Sequence, residues 1–124
     1  MKDKEIQNTA TKIRKDFKEN RIQDKILMDL YHVYNPDVDS RVFVHEAKKI
    51  FPKLNCGLAS VYLKKILGAG EVVQGKYLEN NHTFLKISKN KILDITADQY
   101  GGPKVYYGEL KFPWQISKGK RSEI

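Results

Sequence analysis

The apolar spacing of this chain changes period once, at Gly68-Ala69-Gly70. Before that break, apolar residues recur at intervals of three and four, the spacing of a buried helix face. After it they alternate in short runs separated by turn residues, the spacing of half-buried strands. Helices first and a meander of strands afterwards predict an α+β fold, with helices packed on an antiparallel sheet.

Residues 3–19 read as a surface helix, with Ile6, Ala10, Ile13 and Phe17 on one stripe and Arg14 among the polar faces. Asp24 leads a second helix through Ile26, Leu27, Leu30, Tyr31 and Tyr34. Asn35-Pro36 stops it, because a residue before proline is pushed out of the helical region. Cap candidates lie between Asp37 and Ser40, and Phe43, Ala47, Ile50 and Phe51 resume helical spacing. The run Val42-Phe43-Val44 is also compatible with a short strand. His32 and His45 read as surface histidines, since neither sits in a ligand spacing. Beyond Gly70 the expected strands are 71–78, 82–87, 91–95 and 105–107. Glu79-Asn80-Asn81 and Ser88-Lys89-Asn90 are the turns, and Phe112, Pro113 and Trp114 form a tail that packs on the body.

At 124 residues the chain suits one domain: a helical lobe over 1–52, a core helix and sheet over 53–116, and a tail over 117–124. A single cysteine leaves no internal disulfide and suits a reducing compartment. No apolar run approaches the ~20 residues of a membrane span, and no apolar stretch follows the charged N-terminus as in a secretory signal. The net charge of +8 points to an acidic partner. Lys118, Lys120 and Arg121 cluster near the C-terminus, but no nucleic-acid-binding motif accompanies them. That puts an acidic protein ahead of nucleic acid as a partner.

Cys56 opens the fourth helical pattern, with Ala59, Leu63 and Ile66 on its apolar face and Leu58 and Tyr62 broadening it. A thiol in a first helical turn faces backbone N–H groups without intrahelical acceptors and the positive end of the helix dipole. That setting favours thiolate, the nucleophilic form. Gly57 leaves room beside the thiol for a substrate backbone. The competing reading is a small buried core residue.

His82 and Asp94 complete the pattern. A three-residue loop over Ser88-Lys89-Asn90 pairs Ile87 with Lys91 and sets Phe84 against Asp94; one over Ile87–Lys89 sets His82 directly opposite Asp94, and a two-residue loop puts the two on opposite faces. With the first of these loops, His82 and Asp94 share a sheet face as diagonal neighbours, roughly 7–8 Å apart at the backbone. Imidazole Nδ1–H donates to the carboxylate in this reading, and the other nitrogen faces the thiolate, which is the logic of an acyl-transfer triad. Asp94 in an apolar strand asks for a partner, although capping a turn at Thr96 or Ala97 would also account for it. Metal binding by Cys56, His82 and Asp94 is a further reading, but no close-spaced ligand pair supports it.

Four segments carry a family resemblance: Cys56-Gly57-Leu58-Ala59-Ser60, Val72-Val73-Gln74-Gly75, His82 to Ile87, and Ile92 to Gly101. Together they resemble the papain/transglutaminase-like superfamily, and most closely small bacterial papain-fold proteins similar to toxin domains of secreted polymorphic toxins. The resemblance spans residues 56–108. It implies a Cys-bearing core helix packed on a sheet bearing His and Asp, with Cys56 as nucleophile, His82 as base and Asp94 as orienting group. The family's oxyanion glutamine precedes the cysteine; here that region is Ile50-Phe51-Pro52. Asn55, Gln99 and the Cys56 backbone N–H are the substitutes. The implied activity is cysteine-dependent acyl transfer on protein amides, as a deamidase, peptidase or transglutaminase, without a cofactor. An acidic immunity or inhibitor protein is the implied second partner. The implied location is the cytoplasm, or a target cell reached as part of a larger secreted protein. The alternative is a catalytically idle module of the same fold that binds an acidic protein or nucleic acid through its basic surface.

Overall fold

The computed structural model describes residues 2–117. Four helices come first: α1 (Asp3–Lys18), α2 (Asp24–Tyr34), α3 (Ser40–Lys49) and α4 (Cys56–Leu67). Five strands follow: β1 (Glu71–Tyr77), β2 (Asn80–Lys86), β3 (Lys91–Asp94), β4 (Tyr106–Glu109) and β5 (Trp114–Ile116), with a 3-10 turn at Ala97–Tyr100. The architecture is α+β, as the change of period predicts. The basic cluster at Lys118, Lys120 and Arg121 lies outside the described residues, as does the tail beyond Ser117.

Local signals account for most element ends. Asp39 caps α3, its Oδ1 accepting from the Arg41 and Val42 backbone N–H groups at 3.1 and 3.3 Å. The 42–44 run is therefore helical. Gly68 closes α4 in the left-handed region at φ 69°, with its N–H bonded to the Lys64 carbonyl. The first hairpin is tighter than expected. Tyr77 pairs with Asn80, so the turn is Leu78-Glu79, and Asn80 and Asn81 belong to β2. Leu78 adopts φ 55°, a turn conformation that a leucine does not advertise.

The strands run antiparallel in the order β4-β3-β2-β1-β5. β5 extends the sheet where only a packed tail was expected. It pairs with β1 at Gly75↔Ile116, and a side chain at Gly75 would meet the Gln115 carbonyl oxygen at 2.0 Å, so only glycine admits this approach. The two edge strands also meet: Trp114 of β5 stacks on Tyr106 of β4 with ring centroids 4.1 Å apart. The sheet is therefore curled.

Strand alternation divides the core into two layers. Leu85, Leu93 and Ile95 face the helices and pack with Leu58, Leu63, Ala10, Ile13 and Phe17. Val73, Phe84, Ile92, Ala97 and Trp114 fill the inside of the curl. The α1 stripe is buried as its spacing requires. On α4 the buried residues are Gly57, Leu58, Ala59, Ser60 and Leu63, while Ile66 is exposed. Leu58 and Leu63 are almost fully enclosed, so truncating either to alanine removes about 2–5 kcal/mol.

Candidate active site

The register of β2 and β3 places the second half of the site. Leu85 pairs with Leu93, Lys86 with Ile92, and the Ile87 N–H bonds the Lys91 carbonyl. Continued outward, this sets Phe84 against Asp94, with His82 diagonal to it on the inner face. The side chains close the gap: His82 Nε2 lies 2.7 Å from Asp94 Oδ2, and both side chains are essentially inaccessible to solvent. The nitrogen is the opposite of the one expected. Asp94 holds Nε2, leaving Nδ1 buried with no nitrogen or oxygen partner. Ring rotation about Cβ–Cγ decides which nitrogen meets the carboxylate, and strand spacing carries no information about it.

Asp94 serves both readings of the sequence at once. Its Oδ1 accepts the Thr96 backbone N–H at 2.9 Å, which caps the following turn. Its Oδ2 accepts from His82 and also from the indole Nε1–H of Trp114 at 2.8 Å. A buried carboxylate is tolerated only when its lone pairs are used, and here they are. Tyr100 stands edge-on to the imidazole at 5.4 Å and Tyr77 at 6.4 Å.

Cys56 begins α4 and is partly exposed. Asn55 gives no side-chain cap to the helix, so the leading N–H groups at the thiol stay open. Asn55 itself is turned away from the site. Both of its amide N–H donors are engaged, to the Ala47 carbonyl at 2.9 Å and the Lys53 carbonyl at 2.8 Å. That corrects its candidacy as an oxyanion donor. Gly57 borders the cleft at the thiol and has a second, unexpected role. The Tyr34 ring lies 3.0 Å from where its Cβ would be, so the missing side chain makes room for α2.

Thiol and imidazole are coupled. Burial pushes the Cys56 thiol up, but hydrogen bonding to His82 and Thr83 and the nearby imidazolium charge outweigh it, and the net direction is down. Burial pushes His82 down; hydrogen bonds to Asp94 and Cys56, and their charges, outweigh it and raise it to about 9. A lowered thiol beside a raised imidazole shifts the pair toward thiolate and imidazolium.

Two clefts meet at Cys56. One, of about 500 Å³, is walled by Tyr31, Tyr34, Phe43, Leu54, Gln99 and Tyr100. The other, of about 260 Å³, is lined by Gly75, Asn81, His82 and Ser117. Cys56, Gln74 and Thr83 border both. Gln99 therefore lies in the thiol's cleft, as a substrate-binding candidate must, and its Nε2 is buried without a partner. The sequence reading gave no role to Trp114, Gln74, Tyr100 or the aromatic wall. A Trp in an alternating run near the C-terminus was the available signal for the first.

Asp98 belongs to a different construction. Arg14, buried on α1, holds it with both terminal guanidinium nitrogens at 2.7 and 2.8 Å and also donates to the Ile95 carbonyl at 2.8 Å. The pair clamps α1 to the turn after β3. Among the described residues no group of three or more His, Cys, Asp or Glu is arranged to hold a metal ion, and no helix is long and apolar enough to cross a membrane. Compared with models of known families, with curated proteins and with solved structures, the chain matches none.

Proposed function

We propose that this protein is a cysteine-dependent acyl-transfer enzyme acting on amide groups of proteins, with Cys56 as nucleophile, His82 as proton carrier and Asp94 as orienting group. The observation that carries the reading is the buried 2.7 Å contact between His82 Nε2 and Asp94 Oδ2, which leaves Nδ1 for the thiol at the start of α4. Attack by the thiolate forms a C–S bond at the carbonyl carbon. The C–N bond then breaks as imidazolium delivers its proton to the departing nitrogen. Water or an amine attacks the thioester next and gives a proton to His82, and the thiolate leaves. Asp94 holds the ring and stabilises its cationic form throughout. The leading N–H groups of α4 and the Gln99 amide are the donors for the oxyanion.

Resemblance to the papain/transglutaminase-like superfamily supports the same roles, and deamidase, peptidase and transglutaminase chemistry all share this first half-reaction. Incubation with candidate target proteins followed by intact-mass analysis separates them: conversion of amide to acid, cleavage or cross-linking. A Cys56→Ala control that gives the same products would remove the reading. The rival, an idle module that binds an acidic protein or nucleic acid, rests on the net charge of +8. It gives no reason for a thiol with a lowered pKa.

A further inference from the structure

Helix α2 carries more apolar surface than the core uses. Its buried side chains are Leu27 and Tyr31, yet Leu30, Val33 and Tyr34 form a second stripe beside them at i, i+3 and i+4. Val33 is 82% exposed, more than any other large apolar side chain among the described residues. Helix α4 packs on α2 and presents Val61, Lys64 and Lys65 at the same spacing. Together the two stripes border a groove of about 460 Å³, which Val72 and Glu71 at the start of β1 also line. Rows at this spacing on two adjacent helices are the ridges that a third helix packs against.

The charges at the groove decide which kind of helix fits. Lys64 and Lys65 stand on one wall, and neither is in an ion pair among the described residues. Glu71 is the one carboxylate of the lining, so the groove is net positive, as the whole chain is at +8. A basic helix would set like charges against the two lysines. An uncharged one would bring no counter-charge to either ammonium group. Carboxylates flanking an apolar edge complement both features, because charge steers the encounter and apolar contact holds it.

We propose that this groove docks an amphipathic helix of an acidic protein partner, its apolar edge against Leu30, Val33 and Val61 and its carboxylates at Lys64 and Lys65. Tyr34 lines this groove and also the larger cleft at Cys56. A partner held here therefore lies beside the thiol's cleft without filling it. The docking site takes nothing from the thiol, so it stands apart from the acyl-transfer reading.

The test uses a fluorescein-labelled peptide of about 18 residues, long enough to form a helix. It has leucine at i, i+3, i+4 and i+7 spacing, with glutamate and glutamine elsewhere. One companion peptide has the same composition without that spacing; another has lysine for every glutamate. Fluorescence anisotropy with the full chain should show the acidic amphipathic peptide binding about tenfold or more tightly than either companion. Val33→Glu, at a position already in water, should weaken that binding by about tenfold or more, because it removes an apolar contact and adds a like charge. Lys64→Glu combined with Lys65→Glu should weaken it and flatten its salt dependence. Lys104→Glu combined with Lys111→Glu makes the same change in net charge at exposed positions outside the groove, and should weaken it far less. Circular dichroism checks that each variant folds. Equal binding of the three peptides, equal losses in the two double variants, no effect of Val33→Glu, or no saturable binding up to about 1 mM would each overturn the docking site.

Discussion

Trp114 and His82 share one acceptor: both donate to Asp94 Oδ2, at 2.8 and 2.7 Å. The indole arrives from β5, the imidazole from β2 and the carboxylate from β3. Three strands thus fix one oxygen, and with it the imidazole plane.

Replacing Trp114 with phenylalanine keeps a ring against Tyr106 but removes the indole donor. Stability should fall by about 1.5–3 kcal/mol, the worth of a hydrogen bond to a charged group. Asp94, with one donor fewer, should hold the imidazolium proton more strongly, so the alkaline limit of activity should move up. Chemical denaturation and a pH–rate profile read the two effects. An unchanged limit together with unchanged stability would show that the indole contact contributes nothing.

Alkylation of Cys56 should show a pH midpoint below the ~8.5 of a free thiol, because His82 and Thr83 favour the anion. His82→Ala should raise the midpoint toward that value. Turnover should rise as the thiol ionises and decline near pH 9, where the imidazolium loses its proton. A profile still rising above pH 10 would exclude His82 as the acid.

His82 should also make stability pH-dependent. Its folded pKa of about 9 lies above the ordinary 6.5. Its contribution is therefore complete below the unfolded pKa and is lost as pH rises through about 9. The difference in Tm between wild type and His82→Gln should be largest near pH 6 and shrink by pH 10. A difference that grows with pH contradicts the raised pKa.

Asp94→Asn and Asp98→Asn should separate chemistry from structure. Asparagine at 94 removes the charge that favours imidazolium and can present the wrong hydrogen-bonding group to Nε2. Activity should fall by about 10⁴ with the fold retained. Asparagine at 98 leaves Arg14 without its bidentate partner at a largely buried position. Up to about 3 kcal/mol of stability should be lost there. Chemistry per folded molecule should be kept, as circular dichroism and single-turnover rates would show. The reverse pattern would exchange the two roles.

The sequence carried what periodicity and loop length encode. Ile6, Ala10, Ile13 and Phe17 are a buried stripe because helical spacing leaves no alternative face. His82 reaches Asp94 because a three-residue loop fixes strand parity. What stayed hidden depends on tertiary partners. Arg14 looks like any basic surface residue until Asp98 and the Ile95 carbonyl, more than 80 positions away, enclose it. Asn55 sits beside the thiol in the chain but is drawn inward by two carbonyls. Tyr31, Tyr34 and Phe43 read as core spacing on two helices, and only the packing of α2 on α3 makes them one wall.

The meeting of the two edge strands bears on when the surroundings of the thiol are complete. Cys56, His82 and Asp94 all precede β5 in the chain, yet the indole that steadies the carboxylate is at position 114. A ribosome-bound chain that has exposed all three groups still lacks the strand that closes the curl. Until β5 pairs with β1, Asp94 has one donor fewer and the imidazole that it holds is less firmly placed beside Cys56.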